Sequence, residues 1–205
     1  MTAENLAIGL NALAEARFRR TNAVSTAFFE AEAVQISLAC LEMARRFQRS
    51  GRLLAFGAGN AVTDALHISV EFVHPVIVGK RALPAVALGS DLAATQGIAA
   101  MEGLDMVYTR QIEALGRPED IAMGIDPGGQ DAAVGAGLAA AAGLNMLTIA
   151  LTGGRADQTG AMEPDFRFTV AVDDPDVVQE THETLYHILW ELVHVFFEHK
   201  VFDDG

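Results

Sequence analysis

Short apolar runs that end in glycine turns constrain this chain more than any other feature. Leu53-Leu54-Ala55-Phe56 breaks into Gly57-Ala58-Gly59-Asn60, Asp120 to Ile125 ends at Pro127-Gly128-Gly129, and Met146 to Leu151 ends at Gly153-Gly154. Each run is short and is stopped by residues that turn the backbone sharply, so each reads as a buried strand. Pro84 to Leu88 and Phe166 to Val170 supply two more strand-like runs. Between them lie helical stretches: 62–73, a segment capped by Ser90-Asp91, Asp105 to Leu115, the alanine-rich Ala132 to Ala142 stopped by Gly143, and 175–200. Strands alternating with helices predict an α/β fold, a mostly parallel sheet with helices on both faces. In such sheets ligands bind beyond the carboxyl ends of the strands, where all three glycine turns sit.

Two helices, 3–18 and 23–48, are expected upstream. In the second, Val24, Ala27, Phe28, Ala31, Val34, Leu38 and Leu41 recur at helical spacing. Arg45, Arg46 and Arg49 suit its C-terminus, and Gly51 follows as a stop. The expected organisation is a pair of N-terminal helices over 1–50, packed on the core and on an oligomer interface, and one α/β unit over 51–205. A chain of 205 residues is long enough for a sizeable core.

The formal net charge of −13 repels nucleic-acid backbones and anionic membrane surfaces, so binding through a basic patch is not expected. A single cysteine, Cys40, excludes an internal disulfide and a cysteine-based zinc site. It sits in an apolar stretch and reads as a small buried hydrophobe. Glu4 and Glu15 interrupt the N-terminal segment, which therefore does not read as a signal peptide. No uninterrupted apolar run approaches the length needed to cross a bilayer, and a cytoplasmic protein is expected.

His67 and Glu71 are spaced i, i+4 on the helix after the first glycine turn, which puts both on one face. An imidazole and a carboxylate there suit one metal ion, or simply an intrahelical hydrogen bond. Four of the six histidines, His182, His187, His194 and His199, lie on the last helix. Gln179, Glu183 and His187 form a polar stripe on that helix, and a polar stripe on so apolar a segment needs partners, solvent or metal. His194 and His199 read as surface or interface residues, and His182 is ambiguous.

The segments AFGAGN, DALHISVEF, ALGSD, QIEALGRPED, IALTGG and VVQETHETLYHILWELVH together resemble the sugar isomerase (SIS) domain proteins, and within them the phosphoheptose isomerase branch. The resemblance runs from about residue 20 to the end. It implies a three-layer sandwich with a five-stranded parallel sheet in flavodoxin-like order. It also implies a zinc site at His67, Glu71, Gln179 and His187, and aldose–ketose isomerisation with Glu71 and His187 as base and acid. A carboxylate tied to zinc is a poorer base, which leaves a regulatory or substrate-dependent metal open. The resemblance further places Asp91 and Asp176 near substrate hydroxyls, where helix capping is the alternative role, and implies a homotetramer with sites near subunit interfaces.

The phosphate cradle departs from that pattern. A serine-rich stretch of the family is replaced by Asp126-Pro127-Gly128-Gly129-Gln130-Asp131, two serine positions becoming aspartate and Pro127 removing a backbone donor. The first turn, Gly57-Ala58-Gly59-Asn60-Ala61, also lacks the family's serine. A phosphate facing two carboxylates binds badly: like unit charges at about 4 Å repel by on the order of 4 kcal/mol at intermediate dielectric. The candidate ligand-binding residues are Gly59, Asn60, Asp91, Asp126, Gly128, Gly129, Asp131 and Asp176. Two functions compete: a metal-dependent isomerase with an altered substrate, and a non-catalytic assembly protein like the replication-initiation accessory members of the family.

Overall fold

The computed structural model describes residues 3–154 and 163–199. Its elements are α1 (Ala3–Gln48), β1 (Leu53–Gly57), α2 (Val62–Val73), β2 (Ala85–Ala87), α3 (Leu92–Glu102), α4 (Val107–Leu115), β3 (Ile121–Asp126), α5 (Ala132–Gly143), β4 (Leu147–Gly153), β5 (Phe166–Val170) and α6 (Pro175–Glu198). The five strands form one sheet in the order β2-β1-β3-β4-β5. All pairings are parallel, with Leu53 opposite both Ala85 and Ile121, Ile121 opposite Leu147, and Ile149 opposite Phe166.

The two-residue period of the strands sorts side chains between two layers. Leu53, Ala55, Ile121, Met123, Ile125, Leu147, Ile149 and Leu151 face α1, α2 and α6. Leu54, Phe56, Ala122 and Ala150 face α4 and α5, whose Val107, Tyr108, Ile112, Val134, Leu138 and Ala141 complete the second layer. β1, β3 and β4 are buried along their whole length, as strands covered on both faces must be.

Two expectations change upstream. The helices 3–18 and 23–48 are one helix of 46 residues. The polar run Arg19–Asn22 holds neither proline nor glycine, so nothing breaks the hydrogen-bond ladder there. Gly9–Gln48 is also long and apolar enough, by length and composition, to cross a bilayer, which the absence of an uninterrupted apolar run had not suggested. Its buried residues Phe28, Ile36, Ala39, Cys40, Met43, Ala44 and Phe47 instead enter the core. Further contacts tie α1 to α6: Arg17 pairs with Glu180 at 3.0 Å, and the Ser25 and Thr181 hydroxyls meet at 3.0 Å.

The carboxyl end of β4 is packed backbone to backbone against the turn after β3. A Cβ on Gly153 would lie 2.1 Å from the Pro127 carbonyl oxygen, closer than atoms approach. Gly153→Ala must therefore push the 126–131 turn outward, at about 1–3 kcal/mol. Gly135, in α5, has open space around its Cβ position, and Gly135→Ala is expected to stabilise by about 0.5–1 kcal/mol. Urea unfolding midpoints of the two variants should move in opposite directions.

Candidate active site

The chain leaves β1 toward the α1/α6 layer, where Ala65, Ile68 and Phe72 of α2 are buried. It leaves β3 toward the opposite layer, where Val134, Leu138 and Ala141 of α5 are buried. Neighbouring strands whose connections depart to opposite faces leave a crevice between their carboxyl ends. A cleft of about 290 Å³ lies there, lined among others by Gly59, Asn60, Asp126, Gly128, Asp176 and Gln179. Gly59 adopts φ +53°, a left-handed conformation that favours glycine.

Beside this cleft α2 meets α6. One ligand atom from each of His67, Glu71 and His187 lies within 4.8 Å of the others. His67 Nε2 stands 3.4 Å from Glu71 Oε1, and the His67 and His187 ring centroids are 5.1 Å apart. The Tyr186 hydroxyl meets His67 Nδ1 at 2.8 Å, which occupies that nitrogen and leaves Nε2 to face Glu71. Burial, reinforced by the negative charges of Asp64, Glu183 and Glu71, pushes the Tyr186 pKa up, so its phenol stays protonated. Glu183, on the same stripe as His187, reaches within 3.8 Å of His67 Nδ1.

Gln179 joins the group through a residue that sequence reading overlooked. Its Nε2 donates to both oxygens of Asp64, at 3.2 and 3.1 Å. Asp64 is 5% exposed. Burial raises its carboxyl pKa, the Gln179 hydrogen bond lowers it, and nearby Glu183 and His67 act in opposite directions. A signal was present: Asp64 borders the apolar stripe of α2, and a carboxylate there demands a partner. Tyr186 carried no such signal. Among the described residues no lysine or arginine pairs with Asp64, Glu71 or Glu183. Two imidazoles and a carboxylate, with the Asp64 and Glu183 carboxylates nearby, form a donor set that suits a divalent cation.

The remaining candidates separate. Asp91 caps α3, accepting from the backbone N–H groups of Ala93 and Ala94, and is not in the cleft lining. Asp131 caps α5 through Val134 N–H, and neither it nor Gly129 lines the cleft. Asp126 is buried and folds its carboxylate back on its own turn, accepting from Gly128 N–H at 3.1 Å and Asp131 N–H at 2.7 Å. Asp176 lines the cleft but does not cap α6. That role belongs to Asp174, one residue before Pro175 at the first helical position, and Asp174 accepts from Asp176 N–H and Val177 N–H.

His194 is buried rather than at the surface. Its two ring nitrogens face the carbonyl oxygens of Trp190 and Arg81 at 2.8 and 3.0 Å, and whichever nitrogen carries the proton donates to its carbonyl inside the fold. His182 is fully buried, with Nε2 3.1 Å from the Thr152 carbonyl oxygen at the end of β4. Burial pushes its pKa down to about 4, against the opposing effect of that hydrogen bond.

The SIS domain family matches residues 18–153. A phosphoheptose isomerase of Desulfovibrio desulfuricans is 36% identical over 179 residues, covering 86% of this chain and 81% of that protein. The solved phosphoheptose isomerase of Neisseria gonorrhoeae superposes with a TM-score of 0.81 at 28% identity, over 90% of this chain and 98% of that one. A phosphoheptose isomerase from Francisella tularensis shares the fold, with a TM-score of 0.84 at 24% identity over 91% of this chain and 98% of that one.

His182 makes the fold sensitive to acid. Unfolded, it takes a proton near pH 6.5, and folded only near pH 4, so between these values the unfolded state binds more protons. Its contribution is complete above about pH 6.5 and is lost as pH falls toward 4, by on the order of 3 kcal/mol. Urea midpoints measured between pH 7 and 4.5 should fall. His182→Gln, which keeps an N–H for the Thr152 carbonyl but does not titrate, should show a shallower decline.

Proposed function

Because the chain belongs to the SIS domain family and to its phosphoheptose isomerases, we propose that it is a metal-dependent aldose–ketose sugar isomerase whose substrate differs from the usual sugar phosphate. The observation that carries the reading is the convergence of His67, Glu71 and His187 within 4.8 Å beside the cleft at the β1/β3 switch point. Zinc is the expected ion, held by these three residues and Gln179. An ion held there would supply Lewis-acid polarisation of the substrate carbonyl. Glu71 would take the proton from the hydroxyl-bearing carbon beside the carbonyl while the carbonyl oxygen gains one, giving the enediol; His187 would then give a proton to the former carbonyl carbon while the other hydroxyl loses its proton and becomes the new carbonyl. The assembly-protein reading has less support, since it gives no reason for an acid, a base and their metal donors to converge at a cleft.

The altered substrate follows from the turn after β3. Gly128 and Asp131 N–H already serve Asp126, Val134 N–H serves Asp131, and Pro127 has none to offer. Donors that would cradle an anion are thus occupied by the chain's own carboxylates. The named lining residues carry two acids, Asp126 and Asp176, and no base. We expect polyol hydroxyls to be bound there in preference to a phosphate.

A homotetramer is also expected. Leu6, Leu10, Leu13 and Phe18 are about half or more exposed along the N-terminal part of α1, an apolar surface suited to a second copy. The reading places the protein in the cytoplasm, where a single buried thiol suits reducing conditions.

Protein purified without chelator or histidine tag should carry close to one zinc per chain, and His187→Ala should lose it and its turnover. Metal-free wild-type protein would overturn the metal reading. Wild type should turn over sedoheptulose 7-phosphate poorly, and Asp126→Ser should raise that activity at least about tenfold by removing one repulsive charge. A wild-type kcat/KM above about 10⁴ M⁻¹ s⁻¹ on that substrate would overturn the altered specificity.

A further inference from the structure

Glutamine is an unusual partner for a metal, and its amide is nearly symmetric in shape but opposite in polarity at its two ends. Oε1 accepts and can coordinate, whereas Nε2 only donates and would turn a pair of hydrogens toward a cation. Whatever holds the amide one way round therefore decides whether Gln179 is a ligand at all. Asp64 has the means to do so. It lies on α2 one turn before His67, is 5% exposed, and offers both carboxylate oxygens to Gln179 Nε2 at 3.2 and 3.1 Å. With both carboxylate oxygens facing Nε2, the contact suits the donor end of the amide, whereas Oε1 turned there would meet two acceptor oxygens.

We propose that Asp64 is a positioning residue that fixes the Gln179 amide with Nε2 inward, so that Oε1 is the atom available to a cation held by His67, Glu71 and His187. The same contact explains why glutamine stands at 179. A glutamate there would put a second carboxylate about 3 Å from a buried one, with no proton donor between them. The inference rests on the metal reading above and adds the device that selects the fourth ligand atom. Outer residues that orient ligands in this way commonly change metal affinity by about 10- to 100-fold when replaced.

The test is zinc titration calorimetry on the chelator-stripped full chain, in four forms: wild type, Asp64→Asn, Gln179→Glu and the double variant. An asparagine can offer either end to Gln179, so Asp64→Asn should weaken zinc binding about 10- to 100-fold. In the Gln179→Glu background the sign should invert, because the asparagine N–H₂ now donates to the introduced carboxylate where an aspartate repels it. Adding Asp64→Asn to Gln179→Glu should tighten zinc. The double variant also carries the test should Asp64→Asn alone fold poorly. Melting of the zinc-free proteins separates a fold defect, which would weaken both backgrounds alike. Unchanged affinity in Asp64→Asn, or a loss of the same direction in both backgrounds, overturns the positioning role while leaving the metal site standing. Failure of wild type to bind zinc removes the metal reading itself, and this inference with it.

Discussion

The pairing of β1 with β3 is the constraint on which the rest depends. These strands are neighbours in space but not in sequence, and the chain leaves them toward opposite layers. Their carboxyl ends cannot be closed over by a shared connection, so a crevice is built into the topology. α2 begins at one lip of it and α6 lies along the same side, with Gln179 at the boundary between cleft and cluster. Polar groups that would be costly in either helix alone become mutually satisfying where the two meet: His67 with Tyr186, Gln179 with Asp64.

Much of this was legible in the sequence because it is local. Apolar runs ending in glycine turns marked three of the five strands and two further apolar runs marked the others, all within a residue or two of their ends, and the i, i+4 spacing of His67 and Glu71 placed both on one flank of α2. Sequence patterning says which residues share a face, and for α2 that was sufficient. What could not be read was long-range. The Asp64–Gln179 contact joins residues 115 positions apart and depends on how two helices cross. Tyr186 sits next to His187 and is buried, and nothing in its neighbours distinguishes it from an ordinary core aromatic. Other differences were local signals misweighted. Proline favours the first helical position, which assigns the α6 cap to Asp174 rather than Asp176. The polar segment Arg19–Asn22 reads as a gap between two helices although it contains no residue that breaks a helix.

The turn after β3 shows how a small change of composition reassigns a backbone. A helix N-terminus and a tight turn both present N–H groups that favour negative charge. Serine leaves those groups partly free for a ligand, whereas aspartate is itself an anion attached to the chain. With Asp126 and Asp131 in place the turn is internally neutralised and ordered, and Gly153 fits beneath it only because it lacks a side chain. The order of this loop therefore comes from carboxylates that belong to the chain itself.

Cys40 has a consequence of a different kind. It is fully buried where α1 lies on α6, its sulfur 3.9 Å from the Leu189 carbonyl oxygen, and burial pushes its pKa up to about 12. A thiol in that state is chemically silent while the two helices remain together. As the chain's sole sulfhydryl, it is a built-in clock: its rate of alkylation counts the moments when α1 lifts from the body, and so measures the free energy of that opening without any added label.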